Sequence, residues 1–312
     1  ARFGAVSKTY LYRIFTGQVQ SPSSLRFALH LPYPLDLKAM RRATKHFIGT
    51  KDFINFKLTG RTLTDYSYAS GTGVYDLLGW QYSDRLLAAA DLPRELLPEI
   101  TASAEVIGEL AAEAADALGL PRHVRVVAGG VDNSCMALGA RNIKDGRIYN
   151  SQGSSSWIAV TTKEPILDDK FRPFVFTAVI PGLFNSAIPV FSSGSSFRWL
   201  RDNLCHDLIV QAQEEGKDVY ELMTALAAQS PVGARGVIFN PNLAGGSSVD
   251  DSINIRGAYL GLDLGHNRAD LIRATMEGIA MEMRMALNEL HKKMTISEGM
   301  LVVGGGSRSP LW

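Results

Sequence analysis

Four short turns carry the residues of this sequence best suited to chemistry. The first is Gly129-Gly130-Val131-Asp132-Asn133, where a β-branched run gives way to a helical one. A carboxylate at such a junction can cap the helix by accepting hydrogen bonds from its N–H groups. It can also act as a general base at the carboxyl edge of a sheet, where α/β proteins place ligands. The two glycines let a ligand approach the backbone closely. The second turn, Gln152-Gly153-Ser154-Ser155-Ser156, is either a tight hairpin or a cradle of N–H and hydroxyl donors for a polyphosphate. The third, Ser192-Ser193-Gly194-Ser195-Ser196, stands before a helix that opens at Phe197. Serines there are ordinary caps, or they complete an anion site with the positive end of the helix. The fourth, Gly304-Gly305-Gly306-Ser307, carries three consecutive glycines, which cost chain entropy. A flat ligand against bare backbone accounts for them, and so does a tight turn. Each signal is weak alone; the four together suggest a nucleotide cleft.

Strands and helices must hold these turns. His123–Ala128 reads as a strand ending on the first turn, and 133–140 as the helix after it. Arg147–Asn150 and Trp157–Thr161 read as strands on either side of the second. Phe174–Val179 and Ser186–Phe191 are further strands with a turn at Pro181-Gly182, and Gly236–Phe239 is a short buried one. Met300–Val303 is the strand that feeds the fourth turn. Helical spacing marks 37–47 with Asp36 as N-cap, 51–58 stopping at Thr59-Gly60, 84–90, 108–118, 197–204, 219–229 and the long Met- and Ala-rich 269–292. Interleaved strands and helices make the chain α/β.

Other chemistries lack their signatures. No G-x-x-x-x-G-K-[ST], no G-x-G-x-x-G after a strand, no H-E-x-x-H and no G-x-S-x-G occurs. The six His are scattered. With 32 Lys and Arg against 31 Asp and Glu, the net charge of +1 gives no basic face for nucleic acid. The 312 residues suit two domains. The two cysteines, Cys135 and Cys205, form no C-x-x-C pair and are expected as buried small hydrophobes in a reducing compartment. No apolar run is long enough for a membrane span, and no leader opens the chain, so a cytoplasmic home is expected. Both ends are abrupt, without Met at Ala1 and with Trp312 last, and the chain reads as a fragment.

The order of motifs resembles the FGGY carbohydrate kinases, from about Gly17 to Trp312. Lys51-Asp52-Phe53 through Leu58-Thr59-Gly60 is similar to the family's K-D-Y/F…L-T-G, and 64–72 to its T-D-x-S-x-A-S-x-T. Gly129–Asn133 with Ala137 and Gly139 resembles G-x-x-D-N/Q…A…G, and Gly153-Ser154-Ser155 the phosphate turn G-T-S/G. Gly194 with Arg198 and Trp199 resembles G-x-S-x-x-W-L. Arg256-Gly257 through Gly261-Leu262, 266–270 and Glu277-Gly278 resemble A-R-G-x-x-x-G-L…H-x-R-A-D…E-G. Gly304–Ser307 through Trp312 is similar to the adenine-binding G-G-G-A-x-S-x-x-W.

The resemblance implies two lobes of ribonuclease H-like, actin/hexokinase-type fold around a cleft. Residues 1–146 would belong to the sugar-side lobe and 147–312 to the nucleotide-side lobe. It implies an enzyme most like xylulose kinases, transferring phosphate from ATP with Mg²⁺ to a small sugar or polyol. Asp132 would be the catalytic base and Asn133 a sugar contact. Gly153, Ser154, Ser155, Gly194, Arg198, Gly305, Gly306 and Ser307 would bind nucleotide, and no residue is assigned to a metal. A homodimer is common in the family; nucleic-acid and membrane partners are not expected. Three departures stand out. The family's opening D-x-G-T hairpin has no match, Ser154 replaces the usual Thr, and 245–251 replaces G-E-R/G-x-x-x-P without Arg or Pro. A chain lacking that hairpin is expected to fall short of full activity. An actin-like ATPase without a sugar substrate and a non-catalytic sugar- or nucleotide-binding homologue are the competing readings.

Overall fold

The computed structural model describes residues 50–247, 250 and 252–312, preceded by two short parallel strands, β1 (Ile14–Phe15) and β2 (Leu29–His30). The helix expected over 37–47 lies outside the described residues. The remainder forms two compact units, one ending at Asp132 and the other beginning at Asn133.

In the first unit, α1 (Thr50–Thr59) stops at Gly60, whose φ of 75° no β-carbon-bearing residue adopts as readily. β3 (Leu63–Asp65) feeds the single turn of α2 (Tyr66–Ala69). A hairpin, β4 (Tyr75–Asp76) and β5 (Gln81–Tyr82), leads to α3 (Asp84–Ala89), capped by Ser83. β6 (Glu99–Thr101) pairs in parallel with β3. β7 (Val106–Glu109) and β8 (Arg125–Val127) are antiparallel, with α4 (Ala112–Leu118) between them. The helix expected from Gly108 therefore starts later. Gly108, at φ 156°, belongs to an irregular strand, and the alanine run becomes helical only after Ala111.

α5 (Asp132–Gly139) begins at the division between the units and packs with the second, although it precedes the Gly146 expected as the lobe boundary. Ala137 and Ala140 lie against Tyr149, Ala159 and Ala187. Cys205 is buried as expected, but Cys135 is exposed. Its neighbours Ser134 and Ala137 occupy the buried face of α5, which turns Cys135 outward.

The second unit is built on a five-stranded sheet ordered β11-β12-β10-β9-β15. β9 (Ile148–Gln152), β10 (Ser156–Thr162), β12 (Phe184–Val190) and β11 (Phe174–Thr177) are antiparallel neighbours, and β15 (Met300–Val303) joins parallel to β9. The parallel register needs a long crossover. It is supplied by α6 (Ser193–Leu204), α7 (His206–Glu215), α8 (Val219–Ala227), the pair β13 (Ile238–Asn240) and β14 (Ala258–Leu260), and α9 (Arg268–Lys293). α6 starts four residues before Phe197, so the serine-rich turn is part of the helix. Its hydroxyls find partners there, Ser196 Oγ on the Pro241 carbonyl at 2.8 Å among them.

α9 shows why the core sits where it does. Ile272, Met276, Ile279, Met283, Ala286 and Leu290 recur at helical spacing and are all buried. They meet Ile148, Ile158, Val160, Ile188 and Val190 from the sheet and Phe197 and Leu200 from α6. Asn267 and Asp270 form a capping box at the start of α9, and His291, Lys292 and Lys293 sit in its last turn, where the dipole favours them. No helix among the described residues is long and apolar enough to cross a membrane.

Candidate active site

The turn between β9 and β10 is fastened to the start of α6. Gly194 N donates to the Gly153 carbonyl at 3.0 Å, and Ser195 N donates to the Ser154 carbonyl at 2.9 Å. Ser195 Oγ adds a second bond to the Ser154 carbonyl at 2.9 Å. Two helix-start N–H groups that sequence reasoning offers to an anion are thus committed to the turn. Positive charge comes instead from Arg198, one helical turn on, whose Nη2 donates to Ser154 Oγ at 3.2 Å. Gly194 is required by this contact, since a methyl on it would overlap the Gly153 carbonyl oxygen.

β15 delivers the glycine turn beside Gln152. A β-carbon on Gly304 would overlap the Gln152 carbonyl, and one on Gly306 would stand 2.8 Å from Gln152 Cβ. Close packing therefore accounts for those two glycines. Gly305 differs, because open space lies where its β-carbon would be. Ser307 Oγ donates to the Gly304 carbonyl at 2.7 Å and closes the turn.

Both turns open on one cavity of about 920 Å³ within the second unit. Of the residues expected to bind nucleotide, Gly153, Ser154, Gly194, Arg198, Gly305 and Gly306 line it, while Ser155 and Ser307 do not. Its other wall is aromatic. Phe197 stacks on Tyr220 with centroids 5.7 Å apart, and Trp312 meets Phe197 edge-on at 6.0 Å. Arg201 donates to the Tyr220 hydroxyl at 2.9 Å, and burial pushes that phenol's pKa up. Phe197 and Tyr220 are not assigned to a site from the sequence; Gln152 and Trp312 enter only as parts of motifs. An apolar aromatic wall opposite a hydroxyl, a guanidinium and bare backbone suits a molecule with a flat base at one end and phosphates at the other.

Asp132 ends the first unit. Gly129, at φ 76°, turns the chain after β8, and the half-buried Asp132 occupies the first turn of α5. Asn133 opens the second unit. The buried Tyr149 hydroxyl, which accepts from Trp157 Nε1 at 3.0 Å, donates to the Asn133 carbonyl at 3.2 Å and lies 3.4 Å from Oδ1. Deeper in that unit Asn185 Nδ2 donates to Ser134 Oγ at 3.2 Å and holds the helix to the sheet. Among the described residues no group of three or more His, Cys, Asp or Glu could hold a metal ion.

Comparison with known proteins supplies the frame. The models of the N-terminal and C-terminal domains of the FGGY family of carbohydrate kinases match residues 36–139 and 148–312. The chain belongs to the FGGY family of carbohydrate kinases. Its fold is therefore the family's ribonuclease H-like, actin/hexokinase-type fold of mixed α/β content. It is 29% identical over 281 residues to a gluconokinase of Bacillus subtilis, covering 88% of this chain and 54% of that protein. It is 30% identical over 268 residues to a xylulose kinase of Lactococcus lactis, covering 85% and 51%. The crystal structure of a ligand-bound xylulose kinase from Lactobacillus acidophilus superposes with a TM-score of 0.73 at 26% identity, covering 84% of this chain and 51% of that one. The chain thus spans about half the length of the curated relatives it matches. In this family setting the five-stranded sheet and the two turns at its edge belong to the C-terminal FGGY domain, and Asp132 to the N-terminal one.

Proposed function

We propose that the protein phosphorylates a hydroxyl of a small sugar or polyol with ATP, using Asp132 as general base. The observation that carries the nucleotide half is the Gly153–Ser154 turn, clamped to Gly194 and Arg198 at the edge of an aromatic-walled cavity. The base would lie against Phe197, Tyr220 and Trp312. The phosphates would lie toward Ser154, Arg198 and the bare backbone of Gly305. Residues through 146 form the sugar-side lobe and 147–312 the nucleotide-side lobe.

Phosphoryl transfer asks a protein mainly for positioning and charge neutralisation. The substrate hydroxyl oxygen attacks the γ-phosphorus, Asp132 accepts its proton, and the bond from phosphorus to the β,γ-bridging oxygen breaks to release ADP. Asn133, steadied by Tyr149, would hold the sugar. Mg²⁺ binds chiefly through phosphate oxygens and water and asks for only one or two protein carboxylates. The ion would neutralise phosphate charge. The names of the relatives make D-xylulose and gluconate the first substrates to try.

The test is sugar-dependent ADP release from Mg-ATP by the full-length protein, with D-xylulose, D-ribulose, L-ribulose, glycerol, gluconate and erythritol. Asp132→Asn should lower kcat by about 10²- to 10⁴-fold and leave ATP affinity alone. Turnover with one acceptor that collapses in the variant supports the proposal. ADP release indifferent to every acceptor points to an ATPase instead, and binding without turnover to a non-catalytic homologue.

A further inference from the structure

We infer that Ser67, held in place by Asp65, is a positioning residue that sets the backbone immediately before Asp132. The inference rests on the reading of Asp132 as the base. It starts from the Thr64-Asp65-Tyr66-Ser67 segment, which the proposed chemistry leaves without a task. Asp65 is only 1% exposed, yet its side chain is a carboxylate. Burying such a charge is costly unless donors converge on it. They do: Oδ2 accepts from Ser67 N at 3.0 Å, from Ser103 Oγ at 2.7 Å and from the Ser67 hydroxyl, while Oδ1 accepts from Tyr68 N at 3.3 Å.

Capping α2 explains the two backbone bonds, but not the two hydroxyls. The Ser67 hydroxyl has one hydrogen, and Asp65 takes it. A lone pair of Ser67 Oγ is thereby left for Val131 N, which donates to it at 2.9 Å across 64 residues of sequence. Charge-assisted hydrogen bonds are the strong ones, so the carboxylate fixes the rotamer of Ser67, and Ser67 fixes the Gly130–Val131 peptide, one residue ahead of Asp132. Two further bonds hold the rest of the approach. Gly129 N donates to the carbonyl of Ser103 at 2.8 Å, and the buried Asn55 Nδ2 donates to the carbonyl of Ala128 at 3.3 Å. Residues 129 and 131 are tied to Ser103 and Ser67, and residue 128 to Asn55. A general base must meet its proton at hydrogen-bond distance, so an error of ångström size in this turn costs rate rather than nucleotide affinity.

The test compares Ser67→Ala, Ser67→Thr, Asp132→Asn and the Ser67→Ala/Asp132→Asn double variant of the full-length protein, in the sugar-dependent assay. Ser67→Ala should lower kcat about tenfold or more while KM for ATP stays within about twofold. Ser67→Thr restores the hydroxyl and should recover most of kcat. In the Asp132→Asn background, Ser67→Ala should change the residual rate by less than about twofold, because its effect runs through Asp132. Equal losses in both backgrounds would mean a purely structural role and overturn the inference. So would wild-type kcat in Ser67→Ala. Undiminished turnover in Asp132→Asn alone would instead remove the base assignment on which the inference stands. If Ser67→Ala does not fold, Ser103→Ala decides. It withdraws one donor from Asp65 and leaves the Val131 bond in place. A severalfold drop in kcat at unchanged KM for ATP supports the inference, and wild-type kcat overturns it.

Discussion

Replacing Gly194 by Ala tests how the nucleotide turn is held. The new methyl would overlap the Gly153 carbonyl oxygen and stand 3.1 Å from its carbon and 3.4 Å from Ser154 Cα. All three atoms are backbone, so no side chain can swing aside. Restoring an ordinary carbon–carbon separation of about 3.5–4.0 Å moves the turn and α6 apart by roughly 0.5–1 Å. That displacement stretches Gly194 N to Gly153 O and Ser195 N to Ser154 O, and it parts Ser154 Oγ from Arg198. At about 1 kcal/mol for each hydrogen bond, the fold loses on the order of 2–3 kcal/mol. The loss for catalysis is larger, because a shift of about 1 Å in a positioning group costs about 10²-fold. The expected result is a fall of that order in kcat/KM for ATP. Binding of a fluorescent ATP analogue should weaken in parallel, while sugar affinity measured by calorimetry is retained. Wild-type kcat/KM and wild-type nucleotide binding in a folded Gly194→Ala protein would refute the assignment of this turn to the phosphates.

Two further perturbations probe the scaffold. Gly278 lies in α9 where a β-carbon would run into the Phe239 carbonyl of β13. Gly278→Ala should therefore destabilise the protein by about 1–3 kcal/mol in chemical denaturation, although alanine is the better helix former; a stabilised variant would refute the close approach. Glu282 is buried beside Asp250, and burial first and that charge second push its pKa up to about 7. Its Oε1 accepts from Ser247 Oγ at 3.2 Å, and among the described residues Oε2 has no hydrogen-bond partner. The native state keeps this proton to a higher pH than the unfolded chain does. Stability should then fall as pH rises from about 4.5 through about 7, by about 1–3 kcal/mol. Glu282→Gln should flatten that fall in thermal melts taken across the range. An unchanged slope would show that Glu282 is not its source.

What the sequence discloses follows from the range of the forces involved. β15 has its expected bounds, and α9 differs from its expected span by one residue at each end. α9 is long and strongly patterned, and β15 is an unbroken apolar run stopped by glycines. α7 went unseen because its buried residues, Leu208 and Ala212, are too few to outline a stripe. β3, β6 and β14 have three residues each, which leaves no room for alternation. The aromatic wall was equally hidden, since Phe197 and Tyr220 come from different helices and meet only through the fold.

The motifs themselves divide when each glycine is asked what stands against it. Gly278 and Gly257 serve packing, against Phe239 and Leu243. Asn267 and Asp270 cap α9, and Arg268 pairs with Asp207. Gly304 and Gly306 accommodate Gln152, leaving Gly305 as the glycine whose bare backbone faces open space. A motif therefore reports that backbones approach one another as often as it reports that a ligand approaches. The distinction is physical: a glycine serving packing has protein atoms where its β-carbon would be, and a glycine serving a ligand has room. Within the glycine turn that criterion leaves Gly305, which lines the cavity with Ser154 and Arg198, while Gly194 and Gln152 pack the turns that carry them. The same division separates Ser67 from its neighbours in the first unit. Ser103 donates to Asp65, whereas Ser67 both donates to Asp65 and accepts from Val131 N, one residue ahead of Asp132.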